Sequence, residues 1–183
     1  MAHPAGRRGA ARRRSLSPVD DRELVARQIG RAPRAFRRVA VRCPWGMPAV
    51  TEQEPYADDG SPFPTTYYLT CHHLVAAISR IEAAGGVERW SAAVAGDPAL
   101  LASVEQANAL QRSIRHELAG DRRGEDRGTS LELGIGGTRK PERLKCLHAH
   151  VAFALAQPGY ALGERVLAEV PEPWPADGCC AGL

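Results

Sequence analysis

The sequence predicts an α+β fold: a small antiparallel three-stranded sheet packed by four to five helices, with a disordered basic N-terminal tail. Three observations predict it. The strand-like patterns all fall between residues 36 and 70, helical periodicity dominates from residue 72 onward, and arginine crowds the first 14 residues.

The elements follow in chain order. Ser17 and Pro18 read as the N-cap and first residue of a helix. Asp20, Asp21 and Glu23 suit its positive end, and Gly30 stops it after Ile29. FRRVAVR (36–42) alternates as a strand that Cys43-Pro44 terminates. VTEQEPY (50–56) reads as a second, more exposed strand, Asp58-Asp59-Gly60 as a turn, and TTYYLT (65–70) as the strongest strand signal in the chain.

Helices follow over 72–84, stopped by Gly85-Gly86, and over about 87–95. A longer one is capped by Asp97-Pro98 and carries Leu100, Val104, Ala107, Leu110, Ile114 and Leu118 on one stripe. Residues near 120–140 hold six glycines and many charges, which reads as a mobile loop. Pro141 opens the last predicted helix, which runs through about Ala156. This divides the chain into a tail (1–16) and one domain (17–183).

The net charge of +3 belongs to the tail. Residues 1–14 hold five arginines and no acid, and the rest of the chain has 19 basic against 21 acidic residues. Contact with nucleic acid or an anionic surface is therefore expected only through that tail, and without aromatic residues it has nothing to stack on bases. No apolar run approaches the roughly 18 residues of a membrane span, and no secretory leader is visible, so the expected location is cytoplasmic. In a reducing compartment, five cysteines argue for buried thiols, a metal site or a reactive thiol over a disulfide framework.

A meander of three strands would bring Cys43 and Cys71 out at the same edge of the sheet. Cys71 would open a helix whose dipole favours a thiolate. Cys146 is expected inside the last helix, sharing a face with His150 four residues on, while His148 lies on the core stripe. Cys179 and Cys180 end a tail that could reach the same edge. Two readings follow: ordinary buried cysteines, or a metal site of Cys43, Cys71, Cys146 and one tail cysteine, with His148 or His150 as a ligand or a support. His72 could orient Cys71. Arg139, Lys140 and Arg143, beside glycines at an expected helix start, could hold an anion.

The ordered segments RQIGRAPR (27–34), VRCPWGMP (41–48), DGSPFPTTYYLTC (59–71) and RLKCLHAHVA (143–152) resemble the bacterial family known as domain of unknown function 501. By that resemblance the cysteines of the family's motifs fall at Cys43, Cys71, Cys146 and Cys180, and the histidine of its KCLH motif at His148. Trp45 stands where relatives often carry a second cysteine, and Phe153 where a histidine is common. The resemblance brings no activity, and gene neighbourhood in the family points to cell-division or envelope control. The leading expectation is an iron–sulfur cluster or zinc on converging cysteines. The alternatives are an enzyme using the Cys71 or Cys146 thiolate or holding a phosphorylated small molecule, and an interaction module.

Overall fold

The computed structural model describes residues 20–179. The basic tail, the expected Ser17-Pro18 cap and Cys180 lie outside the described residues. Helix α1 spans Asp21–Ile29, and its cap is Asp20, whose carboxylate accepts the Arg22 N–H at 3.2 Å. Gly30 ends it in the left-handed conformation, with φ of 69°.

Strand β1 (Phe36–Arg42) runs antiparallel to β2 (Pro48–Gln53), which pairs in turn with β3 (Tyr67–Leu69), so β2 is central. RCPWGMP is the hairpin turn between β1 and β2. The Cys43 N–H donates to Met47 O and the Gly46 N–H to Cys43 O, both at 2.9 Å, and Gly46 supplies the positive φ (79°) that such a turn requires.

β2 departs from expectation. It starts at Pro48, ends at Gln53 and is buried throughout. Polar residues survive there because the sheet is covered on both faces. Glu52 pairs across the sheet with Tyr67, and Tyr67 packs edge-on against Phe153 of α5 (Leu147–Ala156) at 5.5 Å, so this face looks toward α5. Thr51, Gln53 and Tyr68 look the other way, onto Val25 and Ile29 of α1. The Gln28 amide fastens α1 to the sheet by donating to Pro48 O at 2.8 Å. The Glu52 carboxylate would be costly to bury alone, but it accepts Arg38 Nε at 2.6 Å and Nη2 at 3.1 Å. β1 reaches this pairing through register shifts that break its simple alternation.

Helices α2 (His72–Ala83), α3 (Gly86–Gly96) and α4 (Pro98–Ala119) follow. Asp97 caps α4 by accepting the Ala99 and Leu100 N–H groups. The apolar stripe of α4 holds only for its first half. Beyond Ala107 the buried positions are Asn108, Gln111, Arg115 and, at the last residue, Ala119, while Leu110 is 42% exposed. The reason is the 120–140 segment, which folds back on α4 in two 3-10 turns (Thr129–Glu132 and Ile135–Gly137) and needs polar anchors. Asn108 Oδ1 accepts the Ile135 N–H at 2.8 Å, and Gln111 Nε2 donates to Leu133 O at 3.2 Å. Arg115, 0% exposed, donates to Phe63 O at 2.9 Å and Ser130 Oγ at 3.5 Å.

α5 begins at Leu147, six residues later than the Pro141 start expected. The Thr138 hydroxyl bonds the carbonyls of Lys140 and Arg143, and the Leu144 N–H is taken by Ser91 Oγ, so residues 138–146 form turns instead of a helix. α5 is buried on nearly every side, as a helix apolar all round must be. A sixth helix, α6 (Ala161–Leu167), was not expected. It lies so close to α5 that a Cβ at Gly163 would fall 2.4 Å from His150 O. None of the described helices is long and apolar enough to cross a membrane.

Replacing Arg115 tests the polar seam. Arg115→Ala strips the partner from one buried and one part-buried acceptor and opens a void, an expected loss of about 3 kcal/mol in urea unfolding. Arg115→Met, which refills the space, is expected to lose less.

Candidate metal centre and its cleft

Val75, Ser79 and Glu82 recur at helical spacing and form one stripe of α2, which faces the start of α5. Glu82 sits in the last turn of α2, where the helix dipole disfavours a carboxylate. It is compensated from α5: its Oε1 accepts the Leu147 N–H at 2.5 Å. α5 is thus capped by a side chain of another helix. Cys146 occupies its N-cap position in an extended conformation (φ −164°, ψ 126°) and makes no cap bond of its own. Its sulfur is left for the imidazole of His148.

His148 gathers the group. Its Nε2 lies 3.2 Å from Val75 O and 3.2 Å from Ser79 Oγ. A carbonyl can only accept, so Nε2 carries a proton and the ring orientation is set. Nδ1 lies 3.1 Å from Glu82 Oε1. The hydrogen bond between His148 and the Cys146 sulfur, helped by the Glu82 charge and resisted by burial, pushes the His148 pKa up to about 9. One potential ligand atom from each of Glu82, Cys146 and His148 lies within 4.8 Å of the others, the only such group of three among the described residues. All three side chains are half-buried.

The group opens on a cleft of about 340 Å³. Thr65, Tyr67, Tyr68 and Leu69 form one wall, and Val75, Gly136 and the first turn of α5 form the other. No acid, lysine or arginine lines it, so beyond the His148 imidazole it lacks the cluster of cationic donors that phosphate sites use.

The other expected site residues among those described lie outside this group. Cys43 and Cys71 do leave the sheet at one end, flanking the start of β2, where the Cys71 N–H approaches Ala49 O at 3.3 Å. Both are buried in the main core, and Cys179 packs against that same core. None of the three belongs to the ligand group of Cys146. His150 does not share a face with Cys146, because Cys146 precedes the helix. It is fully buried, shares a 2.6 Å hydrogen bond between Nδ1 and the Tyr160 hydroxyl, and is pushed down to about 4 by burial. His72 bonds Gln28 O at 2.5 Å, tying α2 to α1. Arg139, Lys140 and Arg143 are exposed and precede α5 by several residues, so the expected helix start does not lie beneath them. Glu82 was missed from the sequence, although an acid in the last turn of a helix is a signal that a compensating partner exists.

Residues 39–168 match the family described as "Protein of unknown function (DUF501)", and the chain belongs to that family. No curated protein and no solved structure matches it.

In metal-free protein the two histidines impose opposite pH limbs around their ordinary value of 6.5. His148, raised to about 9, stabilises the fold fully below pH 6.5 and loses that contribution as pH climbs toward 9. His150, lowered to about 4, resists a proton that the unfolded chain accepts, so stability falls as pH drops from 6.5 toward 4. Thermal unfolding in chelator is expected to peak near pH 6.5, and His148→Asn to flatten the alkaline limb alone.

Proposed function

We propose that this DUF501 protein binds a divalent metal ion, zinc by the chemistry of its donors, through Glu82, Cys146 and His148. The observation that carries the reading is the convergence of a carboxylate and a thiol on one imidazole. A single proton on Nδ1 serves the carboxylate and the sulfur poorly, whereas a divalent cation would serve all three groups. The pinning of His148 Nε2 to Val75 O supports it, since histidine ligands commonly hold their second nitrogen on a carbonyl. Tetrahedral zinc would draw the ligand atoms to roughly 3.5 Å from one another, a modest contraction for half-buried side chains. A single thiol with nitrogen and oxygen partners suits zinc better than an iron–sulfur cluster, which takes mostly thiolates.

Zinc held by three protein ligands commonly keeps a fourth position for water or substrate and polarises what binds there. Glu82 would do double duty as ligand and as the cap that sets where α5 starts. Val75 O and Ser79 Oγ would hold the imidazole in place.

A second reading, a nucleophilic thiol at Cys146, is favoured by the raised pKa of His148, since a protonated imidazole beside a sulfur is the pair such sites use. Metal analysis of anaerobically purified protein separates the readings. The expected result is one zinc per chain and a colourless solution, with zinc lost in Cys146→Ser and His148→Ala while the far-ultraviolet dichroism stays native. Iron with a broad visible absorbance would instead place a cluster on Cys43, Cys71 and the tail thiols. Folded, metal-free protein whose Cys146 alone is rapidly alkylated would leave the thiol enzyme.

A further inference from the structure

The cleft follows the free edge of β3. Two backbone bonds fix which way each peptide group of that strand points: the Gln53 N–H donates to Thr66 O at 2.8 Å, and the Thr70 N–H to Ala49 O at 2.9 Å. With Thr51 opposite Tyr68, residues 66, 68 and 70 face β2. Antiparallel alternation then turns the N–H and C=O groups of Tyr67 and Leu69 outward, and β3 is the outer strand on that side. A cavity over one face of a strand meets every second residue. This cleft meets Tyr67, Tyr68 and Leu69 consecutively, so it runs along the edge itself. Its far wall is the first turn of α5 with Cys146 and His148. One end is closed by the glycine turn, where a Cβ at Gly136 would lie 3.7 Å from Ala149 and one at Gly137 3.7 Å from Pro64.

We infer that the cleft binds a short, uncharged peptide segment in extended conformation, added as a fourth strand to β3, with one end delivered to the Glu82–Cys146–His148 centre. The outward peptide groups of Tyr67 and Leu69 provide alternating donors and acceptors at the spacing of a peptide backbone, which no other ligand class repeats. The three residues of β3 set the length at roughly three residues. The tyrosine, leucine and valine walls select apolar side chains, and away from His148 the lining offers a charged side chain no partner. The metal reading enters only in what awaits the peptide's end.

Three probes on the full-length, zinc-loaded protein test this: acetohydroxamate, acetyl-leucyl-alanine hydroxamate, and the latter with its amides N-methylated. The peptide hydroxamate is expected to bind about ten- to a hundredfold more tightly than acetohydroxamate, and N-methylation to erase the gain. A peptide without the metal-binding head, acetyl-alanyl-leucyl-alanine amide, is expected to slow hydrogen exchange at the Tyr67 and Leu69 amides and leave Tyr68 unchanged. Equal affinity of the first two probes, or full affinity of the methylated one, overturns strand addition while leaving the metal in place. Exchange protection at Tyr67 and Leu69 without hydroxamate binding upholds the peptide site and removes the metal.

Discussion

A single carboxylate, that of Glu82, decides where α5 begins. At α1 and α4 the N-cap carboxylates, Asp20 and Asp97, take N–H groups of the second or third helical residue. At α5 the N-cap side chain takes none, and the first N–H is satisfied across the helix interface. Two things follow. The preceding residue, Cys146, is released from capping and can turn its sulfur to His148. The start of α5 is also locked against α2, so the two halves of the ligand group, one from each helix, keep a fixed separation. An acid in a helix's last turn and a helix without a cap of its own are each locally unfavourable. Each relieves the other.

The sheet is organised around a similar exchange. Glu52 occupies the buried central strand because Arg38 crosses from β1 to meet it. The Tyr67 hydroxyl lies 3.4 Å from Glu52 and also receives the Gln157 amide at 2.8 Å, which carries the polar chain over to the end of α5. Aromatic contacts continue from Tyr67 to Phe153 and on to Tyr160. The long helix α4 holds the returning segment in the same way, with Asn108, Gln111 and Arg115 where an amphipathic helix would place leucine. The polar residues of this core are therefore tethers between elements that share little apolar surface.

What could be read in the sequence was whatever local chemistry determines. The limits of β1, the Gly30 stop, the Asp97 cap and the span of α2 depend on residues within a few positions of one another. The burial of β2 was not legible, because PAVTEQ looks exposed until both faces of the sheet are covered. The late start of α5 was hidden for the same reason, since its cap comes from residue 82. α6 has only seven residues, with a glycine inside, and stands because Gly163 lets it approach α5. Of the ligand group, Cys146 and His148 were visible as a closely spaced pair of metal-binding residue types. Glu82 was not, because 64 positions separate it from Cys146 and only the packing of two helices joins them.

The two borders of the sheet are treated differently. β1 carries register shifts and the exposed arginines Arg37, Arg38 and Arg42, devices that discourage another chain from pairing there. β3 carries none of these. Its outward peptide groups lie beside a recess and are guarded only by the walls around them. Self-association by strand exchange, in a concentrated solution or during folding, is thereby restricted to one side of the molecule. A chain added there would stack on β3 and leave the arginine border untouched, so runaway growth in both directions is blocked by construction.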